Sequence, residues 1–336
     1  MSAGRKMRAV VITRSGGPEV LAIREVDAPR PGSGEVLVRI RGSALNRADV
    51  LQRQGRYPAP PGAPADIPGL EFAGEIEDVG LASARWKIGQ RVFGLAGGGA
   101  HAELIVAHER VLAEVPESLS WRDAGATPEA FITAHDALIS QALLQRGERL
   151  LIHAVGSGVG LAALQLARAI GAIPFGTSRT SEKLERARQQ GLEQGITLGD
   201  DLAELGPAVA EWTRGKGMDV VLDLVGGSLA GASVATLAMH GRLMLVGTVA
   251  GGRTDLDLGR MLRNRLTIRG TMLRARALEE KARAIDGFAA DVVPLLARGT
   301  VRPIIDSVFP LERTAEAHVR LESNATFGKV ALTVSD

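Results

Sequence analysis

The sequence predicts an α/β protein with two domains, one rich in β-strands and one built on a doubly wound parallel sheet. Short, partly alternating apolar runs occupy the first 110 residues, whereas strand and helix patterns alternate from residue 149 onward. The length of 336 residues also exceeds the roughly 250–300 residues that one hydrophobic core usually supports. We place the β-rich domain at residues 1–125 and the parallel-sheet domain at 126–300, and we expect residues 301–336 to return to the first domain.

The β-rich domain is predicted from apolar runs bounded by Gly, Pro and Asp. The expected strands are 8–13, 36–41, 73–79, 91–95 and 102–106. The Pro-rich segment 57–64 is expected to form a loop, because proline lacks a backbone donor and favours extended geometry in the residue before it. A capping box at 120–123 then opens a helical pattern that continues to about residue 144.

Strands and helices alternate regularly through the second domain. The expected strands are 149–154, 172–177, 194–198, 218–224 and 242–247, with helices at 158–170, 181–190, 201–213 and 228–238. Successive strand–helix units of this kind form a right-handed parallel sheet. A strand at 306–310, a helix at 312–322 and a strand at 328–334 close the chain.

Composition excludes several classes of function. The 40 basic and 38 acidic residues leave a net charge of +2, which argues against a partner that is a nucleic acid or a membrane surface. We expect one local arginine cluster to face solvent or a second subunit, since no aromatic residues interleave with it; it comprises Arg260, Arg263, Arg265, Arg269, Arg274 and Arg276. The absence of cysteine excludes disulfides, thiolate nucleophiles and Cys-ligated zinc. The lack of an apolar leader or a long apolar stretch predicts a cytoplasmic protein.

A dinucleotide-binding turn is predicted between residues 150 and 171. An apolar strand is followed there by a turn of Gly, Ala and Ser and then by a helical pattern. Small residues let backbone N–H groups approach a pyrophosphate, and the helix N-terminus near Gly158 offsets its charge. If Gly160 is the last glycine of a G-x-G-x-x-G motif, Val155 and Ser157 occupy the other two glycine positions. A tight turn without a ligand is the alternative.

The end of the next predicted strand favours NADPH over NADH. An NAD site places an Asp or Glu at this point to bind the ribose hydroxyls, and this chain has none there. Ser178, Arg179, Thr180 and Lys183 instead offer hydroxyl groups and cations that suit a 2′-phosphate. The alternative is that the hydroxyls cap the helix and the two cations are solvated.

Seven short motifs occur in order along nearly the whole chain. They are ALNRAD at 44–49, LQRQGRY at 51–57, PGLE at 68–71, WKIG at 86–89, TPEA at 127–130, HAVGSGVG at 153–160 and FGK at 327–329. This set resembles the zinc-independent NADPH:quinone oxidoreductases of the medium-chain dehydrogenase/reductase superfamily, especially the branch of the p53-inducible and zeta-crystallin-like enzymes. The resemblance implies a GroES-like catalytic domain, an inserted Rossmann domain, a cofactor between them and a homodimer.

The resemblance also implies which residues contact the cofactor. They are Asn46 and Thr133 at the nicotinamide, Ala154, Gly156, Ser157, Gly158, Val159 and Gly160 at the pyrophosphate, Ser178, Arg179, Thr180 and Lys183 at the adenosine phosphate, and Gly247, Thr248, Phe327, Gly328 and Lys329 around the nicotinamide and its ribose. Family members often have a tyrosine where this chain has Thr197 and Leu198. That departure predicts a weaker affinity or preference for NADPH.

No metal site is expected. Zinc alcohol dehydrogenases of the superfamily use a cysteine near the position of Asn46 and a Gly-His-Glu motif, whereas this chain has Gly69-Leu70-Glu71. The six histidines also lack the spacing of metal ligands. Without zinc to acidify a hydroxyl group, alcohol oxidation is unfavourable. A quinone or a conjugated enone accepts hydride directly when it is held close to the cofactor.

Three polar residues are candidates for catalysis. Asn46 is expected near the transferring hydride, and Tyr57, the single tyrosine of the chain, is expected to hydrogen-bond the acceptor oxygen or relay a proton. Asp49 is a candidate member of the same network. The alternatives are that Tyr57 packs under the Pro-rich loop and that Asp49 caps a helix or pairs with Arg47 or Arg53.

These features predict an NADPH-dependent quinone oxidoreductase acting on a small-molecule acceptor. An enoyl reductase that acts on an α,β-unsaturated carbonyl uses the same hydride geometry and is the first alternative. A non-enzymatic NADPH-binding protein is an alternative of another class. The apolar segment 266–273 is a candidate edge strand for pairing across a two-fold axis, although a partner within the chain would satisfy it equally.

Overall fold

The computed structural model describes residues 5–199 and 201–334, and it has the α/β architecture that the sequence predicts. The strands are β1 Lys6–Ile12, β2 Leu21–Asp27, β3 Glu35–Ala44, β4 Glu71–Val79, β5 Arg91–Leu95, β6 Leu104–His108, β7 Leu112–Glu114, β8 Arg149–Ile152, β9 Ile173–Ser178, β10 Gln194–Thr197, β11 Met218–Asp223, β12 Leu237–Leu245, β13 Thr267–Gly270, β14 Ile305–Pro310 and β15 Lys329–Thr333. The α-helices are α1 Arg47–Arg53, α2 Trp121–Gly125, α3 Pro128–His135, α4 Gly158–Ile170, α5 Ser181–Gln189, α6 Leu205–Thr213, α7 Ser228–Thr236, α8 Leu258–Asn264, α9 Leu278–Asp291, α10 Val293–Ala297 and α11 Thr314–Glu322.

The chain divides into two compact units. The first unit comprises Met1–Ile132 and Leu273–Asp336, and the second comprises Thr133–Met272. Within the described ranges, no helix has both the length and the apolar character needed to cross a membrane.

A seven-stranded sheet organises the first unit. Its order is β14-β15-β3-β4-β5-β7, with β6 pairing to β3, while β1 and β2 form a separate antiparallel pair. Strand β3 is antiparallel to both β4 and β15, with Ser43 opposite Phe72 and Leu332. The end of β3 and the beginnings of its two neighbours therefore lie side by side, which brings together three chain segments that are far apart in sequence.

Helix α2 packs on β3 through two glycines. A Cβ atom on Gly42 would lie 2.3 Å from the carbonyl oxygen of Trp121, and one on Gly125 would lie 2.3 Å from the carbonyl carbon of Gly42. Both distances are far below van der Waals contact, so neither position accommodates a side chain. As the capping box predicts, Ser120 begins the helix, and its Oγ accepts the N–H of Asp123 at 3.2 Å. Helix α3 follows and has Pro128 at its first position, which suits a helix start.

The second unit is built on a six-stranded parallel sheet with the order β10-β9-β8-β11-β12-β13. The strand order reverses between β8 and β11, which is the point where sheets of this type bind dinucleotides. Buried residues of the central strands, among them Leu151, Val221 and Leu243, form its core with the covering helices. Strand β13 pairs with β12 and lies at the edge of the sheet, as the sequence suggests for segment 266–273.

Residues 273–300 are the main departure from the domain limits expected from the sequence. They group with the first unit rather than with the parallel-sheet domain. The reason is the apolar face of α9, where Ile285 and Phe288 are buried and the Phe288 ring lies 5.4 Å from that of Phe93 on β5. Two strands were not predicted from the sequence, namely β2, which has no buried residue, and β7, which has only three residues.

Candidate functional site

A buried cluster of three polar side chains lies where β3, β4 and β15 meet in the first unit. Asn46 follows β3, Glu71 begins β4 and Lys329 begins β15. The Lys329 ammonium lies 2.6 Å from Glu71 Oε1 and donates to Asn46 Oδ1, also at 2.6 Å. Asn46 Nδ2 in turn donates to Glu71 Oε1 at 2.9 Å. We call these three residues the amide cluster. Their hydrogen bonds fix the orientation of the Asn46 amide, with its oxygen accepting from Lys329 and its nitrogen donating to Glu71.

Lys329 is fully committed within this cluster. Its third hydrogen bond goes to the carbonyl oxygen of Leu45 at 2.9 Å, so that its three N–H donors meet three acceptors. The side chain is 5% exposed and that of Glu71 is fully buried. In the structure the ammonium is therefore occupied by these three acceptors, and a contact of Lys329 with a cofactor stays a prediction.

Asp49 caps a helix, which was one of the roles left open for it by the sequence. The residue is buried, and its carboxylate accepts the backbone N–H of Asn46 at 2.7 Å and that of Gly69 at 2.9 Å. The first bond closes the start of helix α1, and the second ties that helix to the segment before β4. Both carboxylate oxygens are used structurally, which argues against the expected role of Asp49 in a network with Tyr57.

Tyr57 lies against Arg274, a residue that we expected to be on the surface. Arg274 is instead 6% exposed, and its guanidinium carbon is 4.9 Å from the centre of the Tyr57 ring. The guanidinium donates to Gly97 O at 2.9 Å, to Tyr57 O at 3.3 Å and to Gln52 Oε1. Arg274 therefore links the Pro-rich loop, through Tyr57, to Gly97 and Gln52 by hydrogen bonds. Burial raises the pKa of the Tyr57 phenol and lowers that of Arg274.

Glu129 is a further acid beside the amide cluster. It is the second residue of α3, and its backbone N–H donates to Glu71 Oε2 at 2.8 Å. Within the described residues, its own carboxyl group receives no hydrogen bond. Burial, followed by the negative charge of Glu71, raises the pKa of Glu129 from 4.5 to about 8. The first unit therefore holds an acid that is mostly protonated at neutral pH.

In the second unit, the predicted turn connects β8 to α4. Ser157 begins the helix, and its Oγ accepts the N–H of Gly160 at 3.1 Å. Helix geometry leaves the N–H groups of Gly158 and Val159 without an acceptor inside the helix. Ala154 has a φ of 51°, so the chain reverses sharply just before Val155. A Cβ atom on Gly160 would lie 2.6 Å from Ala154 O, which explains the need for glycine there.

The strand ends of the second unit carry the other predicted contacts. Ser178 is buried at the end of β9, while Arg179 and Thr180 are exposed immediately after it. Lys183 lies in the first turn of α5. Leu198, at the position where relatives often have tyrosine, is 6% exposed and packs in the apolar core. These positions match the expected phosphate contacts, which remain predictions.

Asp223 provides a test of whether this edge of the sheet suits a dinucleotide. It ends β11, next to β8, and is fully buried. Its Oδ1 accepts the N–H groups of Val225 at 2.8 Å and Gly226 at 2.9 Å, while Oδ2 has no partner within residues 5–199 and 201–334. A free acceptor beside an open helix N-terminus fits a ligand that carries hydroxyl groups and phosphates.

The remaining predicted contacts are distributed over both units. Thr133 lies on α3 and is 8% exposed, Gly247 and Thr248 follow β12, and Phe327 and Gly328 precede β15. Gly247 donates to the carbonyl oxygen of Asp223 at 3.3 Å, which brings it to the same sheet edge as the turn. The cofactor contacts of these five residues stay predictions.

Sequence reasoning missed the roles of Glu71, Glu129 and Arg274. The first two stood in motifs that carried the resemblance, and an acid in the first turn of a helix gave an electrostatic signal for Glu129. Arg274 stood among five other arginines, and nothing local distinguished it from them.

Comparison with known proteins identifies the family. Residues 32–117 match the family model "Alcohol dehydrogenase GroES-like domain", and residues 158–289 match "Zinc-binding dehydrogenase". A quinone oxidoreductase of Pseudomonas aeruginosa is 35% identical over 318 residues, covering 94% of this chain and 96% of that protein. The human quinone oxidoreductase is 30% identical and covers 99% of both chains. A mycobacterial protein solved in complex with NADPH superposes with a TM-score of 0.85, at 29% identity over 97% of this chain and 99% of that one. The chain therefore belongs to the quinone oxidoreductase family of the medium-chain dehydrogenase/reductase superfamily.

Proposed function

We propose that this protein is an NADPH-dependent quinone oxidoreductase that transfers a hydride to a small quinone. The observation that carries the proposal is the amide cluster, in which Lys329 and Glu71 hold Asn46 in one orientation. The relatives of 30% identity or more that bear the name quinone oxidoreductase support the substrate class.

NADPH is the proposed coenzyme. When bound, it supplies the hydride for the reduction. The residues that would hold it in the second unit are the turn 154–160, Asp223 and the hydroxyl and cationic side chains at Ser178, Arg179, Thr180 and Lys183. The absence of an acid directly after β9 favours the 2′-phosphate of NADPH over the free ribose hydroxyl of NADH. The NADPH complex of the mycobacterial neighbour supports the same choice.

The first unit supplies orientation. Because Asn46 Oδ1 accepts from Lys329, the amide cannot rotate without breaking hydrogen bonds at both ends, and its free lone pair offers one acceptor to a ligand. Tyr57 offers a phenol whose raised pKa keeps it protonated at neutral pH. We propose that this hydroxyl hydrogen-bonds the acceptor oxygen, which holds the acceptor near the hydride.

We propose that the reaction proceeds without a catalytic metal. Leu70 stands where zinc-dependent members of the superfamily have a histidine, and it is 2% exposed. The ammonium of Lys329 supplies the positive charge that Glu71 requires. We also propose a homodimer, for which the edge strand β13 offers a pairing surface.

The experiment that tests the function is NADPH oxidation by the purified protein, followed by absorbance. Ortho- and para-quinones are compared with short 2-enals and 2-enoyl thioesters. We expect faster turnover with quinones. A preference for enoyl substrates would instead place the protein among enoyl reductases. If NADPH binds but is not oxidised with any acceptor, the protein has a non-enzymatic role. Tyr57→Phe is expected to lower turnover while NADPH affinity stays unchanged.

A further inference from the structure

Three acidic side chains lie in or beside the amide cluster, and their hydrogen bonds distinguish them. Glu71 accepts from Lys329, from Asn46 and from the backbone of Glu129. Asp49 accepts two backbone N–H groups. Glu129 differs because its carboxyl group accepts no hydrogen bond in the described part of the chain, and it is only partly buried. Of the three acids, it is therefore the one with oxygen atoms left to serve a ligand.

The position of Glu129 is fixed by its backbone. The 2.8 Å bond from its N–H to Glu71 Oε2 joins the start of α3 directly to the amide cluster. The close contact of Gly42 with Gly125 also holds α2, and with it the start of α3, against β3. The Cα atom of Glu129 is thus anchored, while its side chain stays free to meet an acceptor.

Charged and titratable groups on several neighbouring elements act on Glu129. Glu71 on β4 and Asp49 on α1 oppose its ionisation, whereas Lys329 on β15 and Arg274 before α9 favour it. Tyr57 and Lys281 are also within electrostatic reach. Burial and the two acids outweigh the cations, and the pKa of Glu129 rises to about 8. At neutral pH the group therefore holds a proton that it can donate.

We propose that Glu129 is the proton donor of the reduction and that it delivers its carboxyl proton to the oxygen of the acceptor. This inference rests on the proposed quinone oxidoreductase function. Two electrons and one hydrogen reach the acceptor as the hydride that NADPH supplies, and NADPH is oxidised to NADP⁺. The O–H bond of Glu129 breaks, and a new O–H bond forms on the acceptor, which completes the hydroquinone. The Glu129 carboxylate then regains a proton from water.

Tyr57 is less suited to give up this proton. Its pKa lies above the ordinary value of 10, so at neutral pH it is a weaker acid than Glu129. A general acid works best when its pKa lies near the pH of the reaction. The two residues therefore divide the work, with the phenol of Tyr57 holding the acceptor oxygen and Glu129 protonating it.

The first test measures the charge of Glu129 in the protein without cofactor. Carboxyl NMR of protein labelled with ¹³C-glutamate is expected to show one resonance that titrates near pH 8 and that is lost in Glu129→Gln. Because Tyr57 is the single tyrosine, its phenolate absorbance reports a second, independent titration. The negative charge of Glu129 raises the pKa of Tyr57, so Glu129→Gln is expected to lower the midpoint of that titration.

Glu117→Gln is the matched control, since Glu117 is an exposed acid of the same unit. It is expected to leave the resonance near pH 8 and the Tyr57 midpoint where they are in the unmodified protein. A Glu129 resonance that titrates near pH 4, or an unchanged Tyr57 midpoint in Glu129→Gln, would overturn the proposal before any assay of activity.

The second test measures the pH dependence of kcat with NADPH and a quinone. Turnover of the unmodified protein is expected to fall as one group deprotonates near pH 8. Glu129→Gln is expected to lower kcat at pH 7 by about 10²-fold, the lower end of the range for general acids, and to remove the fall near pH 8. Glu129→Asp keeps an acid on a shorter side chain, and we expect it to restore part of the rate and the pH dependence.

The outcomes separate the two proposals. Normal turnover and an unchanged pH profile in Glu129→Gln contradict the role of Glu129 as proton donor and leave the quinone oxidoreductase function standing. Absence of quinone reduction by the unmodified protein contradicts the proposed function, and with it the proton transfer. A loss of activity that Glu129→Asp does not restore, together with a lost pH profile and an unfolding midpoint below that of the unmodified protein, indicates a structural role and overturns the proposal.

Discussion

The amide cluster of the first unit and the turn at residues 154–160 of the second unit, which we propose binds the cofactor, are built in opposite ways. The amide cluster brings together two charged side chains and one amide from three segments that are as much as 283 residues apart. The turn needs seven consecutive residues, and its functional groups are backbone N–H groups at the start of a helix. One region depends on long-range packing, whereas the other depends on local geometry and small side chains.

This difference determines how each region tolerates change. A buried charge requires its partner, because an isolated ion in the interior loses its hydration without compensation. A backbone N–H donor requires only enough space for its acceptor to approach. It is therefore disturbed by substitutions that add atoms nearby. The amide cluster should therefore respond to altered charge and pH, and the turn should respond to added volume. Four substitutions test this distinction, and the first two address the charges.

Lys329→Met is expected to have the largest effect. It leaves the fully buried Glu71 without its cation, and breaking a buried pair in this way costs about 3–5 kcal/mol in the free energy of unfolding. Urea denaturation at neutral pH measures the loss. The double variant Lys329→Met with Glu71→Gln is expected to recover more than half of it, and Lys216→Met, at an exposed site, should cost little. Equal losses in the single and double variants would contradict the idea of a compensating pair.

Glu129→Gln is expected to change how stability depends on pH. The pKa of Glu129 rises from 4.5 to about 8 on folding, so between these values the folded state holds a proton that the unfolded state has released. Stability therefore falls as pH rises through this window. The variant lacks this titration, so we expect its unfolding free energy, relative to that of the unmodified protein, to increase by roughly 4 kcal/mol between pH 4 and pH 8. Urea denaturation across that range measures it, and parallel curves would be inconsistent with an acid that stays protonated in the folded protein at neutral pH.

Gly160→Val tests the turn. The added Cβ meets the backbone oxygens of Ala154 at 2.6 Å and Val155 at 2.7 Å, neither of which is a flexible side chain. Overpacking of this kind costs about 1–3 kcal/mol, which corresponds to about 5- to 150-fold in the Kd for NADPH if the turn must deform to bind. Calorimetric titration measures the Kd. Gly206→Ala, where a Cβ atom meets nothing within 4 Å, is the control and should bind normally.

Arg179→Ala is expected to have the smallest effect. Arg179 is exposed, so its attraction to a 2′-phosphate is partly screened and amounts to about 1 kcal/mol. We expect the KM for NADPH to rise roughly fivefold and the KM for NADH to stay the same. Arg188→Ala, near the other end of α5, is the control. An equal change for both coenzymes would remove Arg179 from the discrimination between them.

The contrast also explains how much the sequence revealed. Helices α4 and α5 and the strands β8, β9 and β11 were predicted to within two residues, because each depends on a local apolar period and a clear turn. The turn 154–160 was recognised for the same reason. The edge position of β13 followed from its place after the last strand–helix unit.

The charges of the first unit were beyond this kind of prediction. The position of Arg274 depends on α9 joining the first unit, and that in turn depends on Phe288 reaching Phe93. The use of all three N–H donors of Lys329 depends on the pairing of β15 with β3. Asp49 was left open between capping and catalysis, since both use an acid near a helix start. Pairing between distant strands decides each of these questions, and no short window of sequence records it.

The mutual contact of Gly42 and Gly125 carries an evolutionary consequence. Each glycine occupies space that a side chain on the other segment would need, so a change at one position cannot be compensated by a change at the other. The only accommodation is a shift of α2, and this shift would carry the start of α3 and Glu129 away from Glu71. In descendants of this sequence, we therefore expect the two glycines and the acid to be inherited together. A lineage that loses either glycine should be one in which selection for Glu129 has already been relaxed.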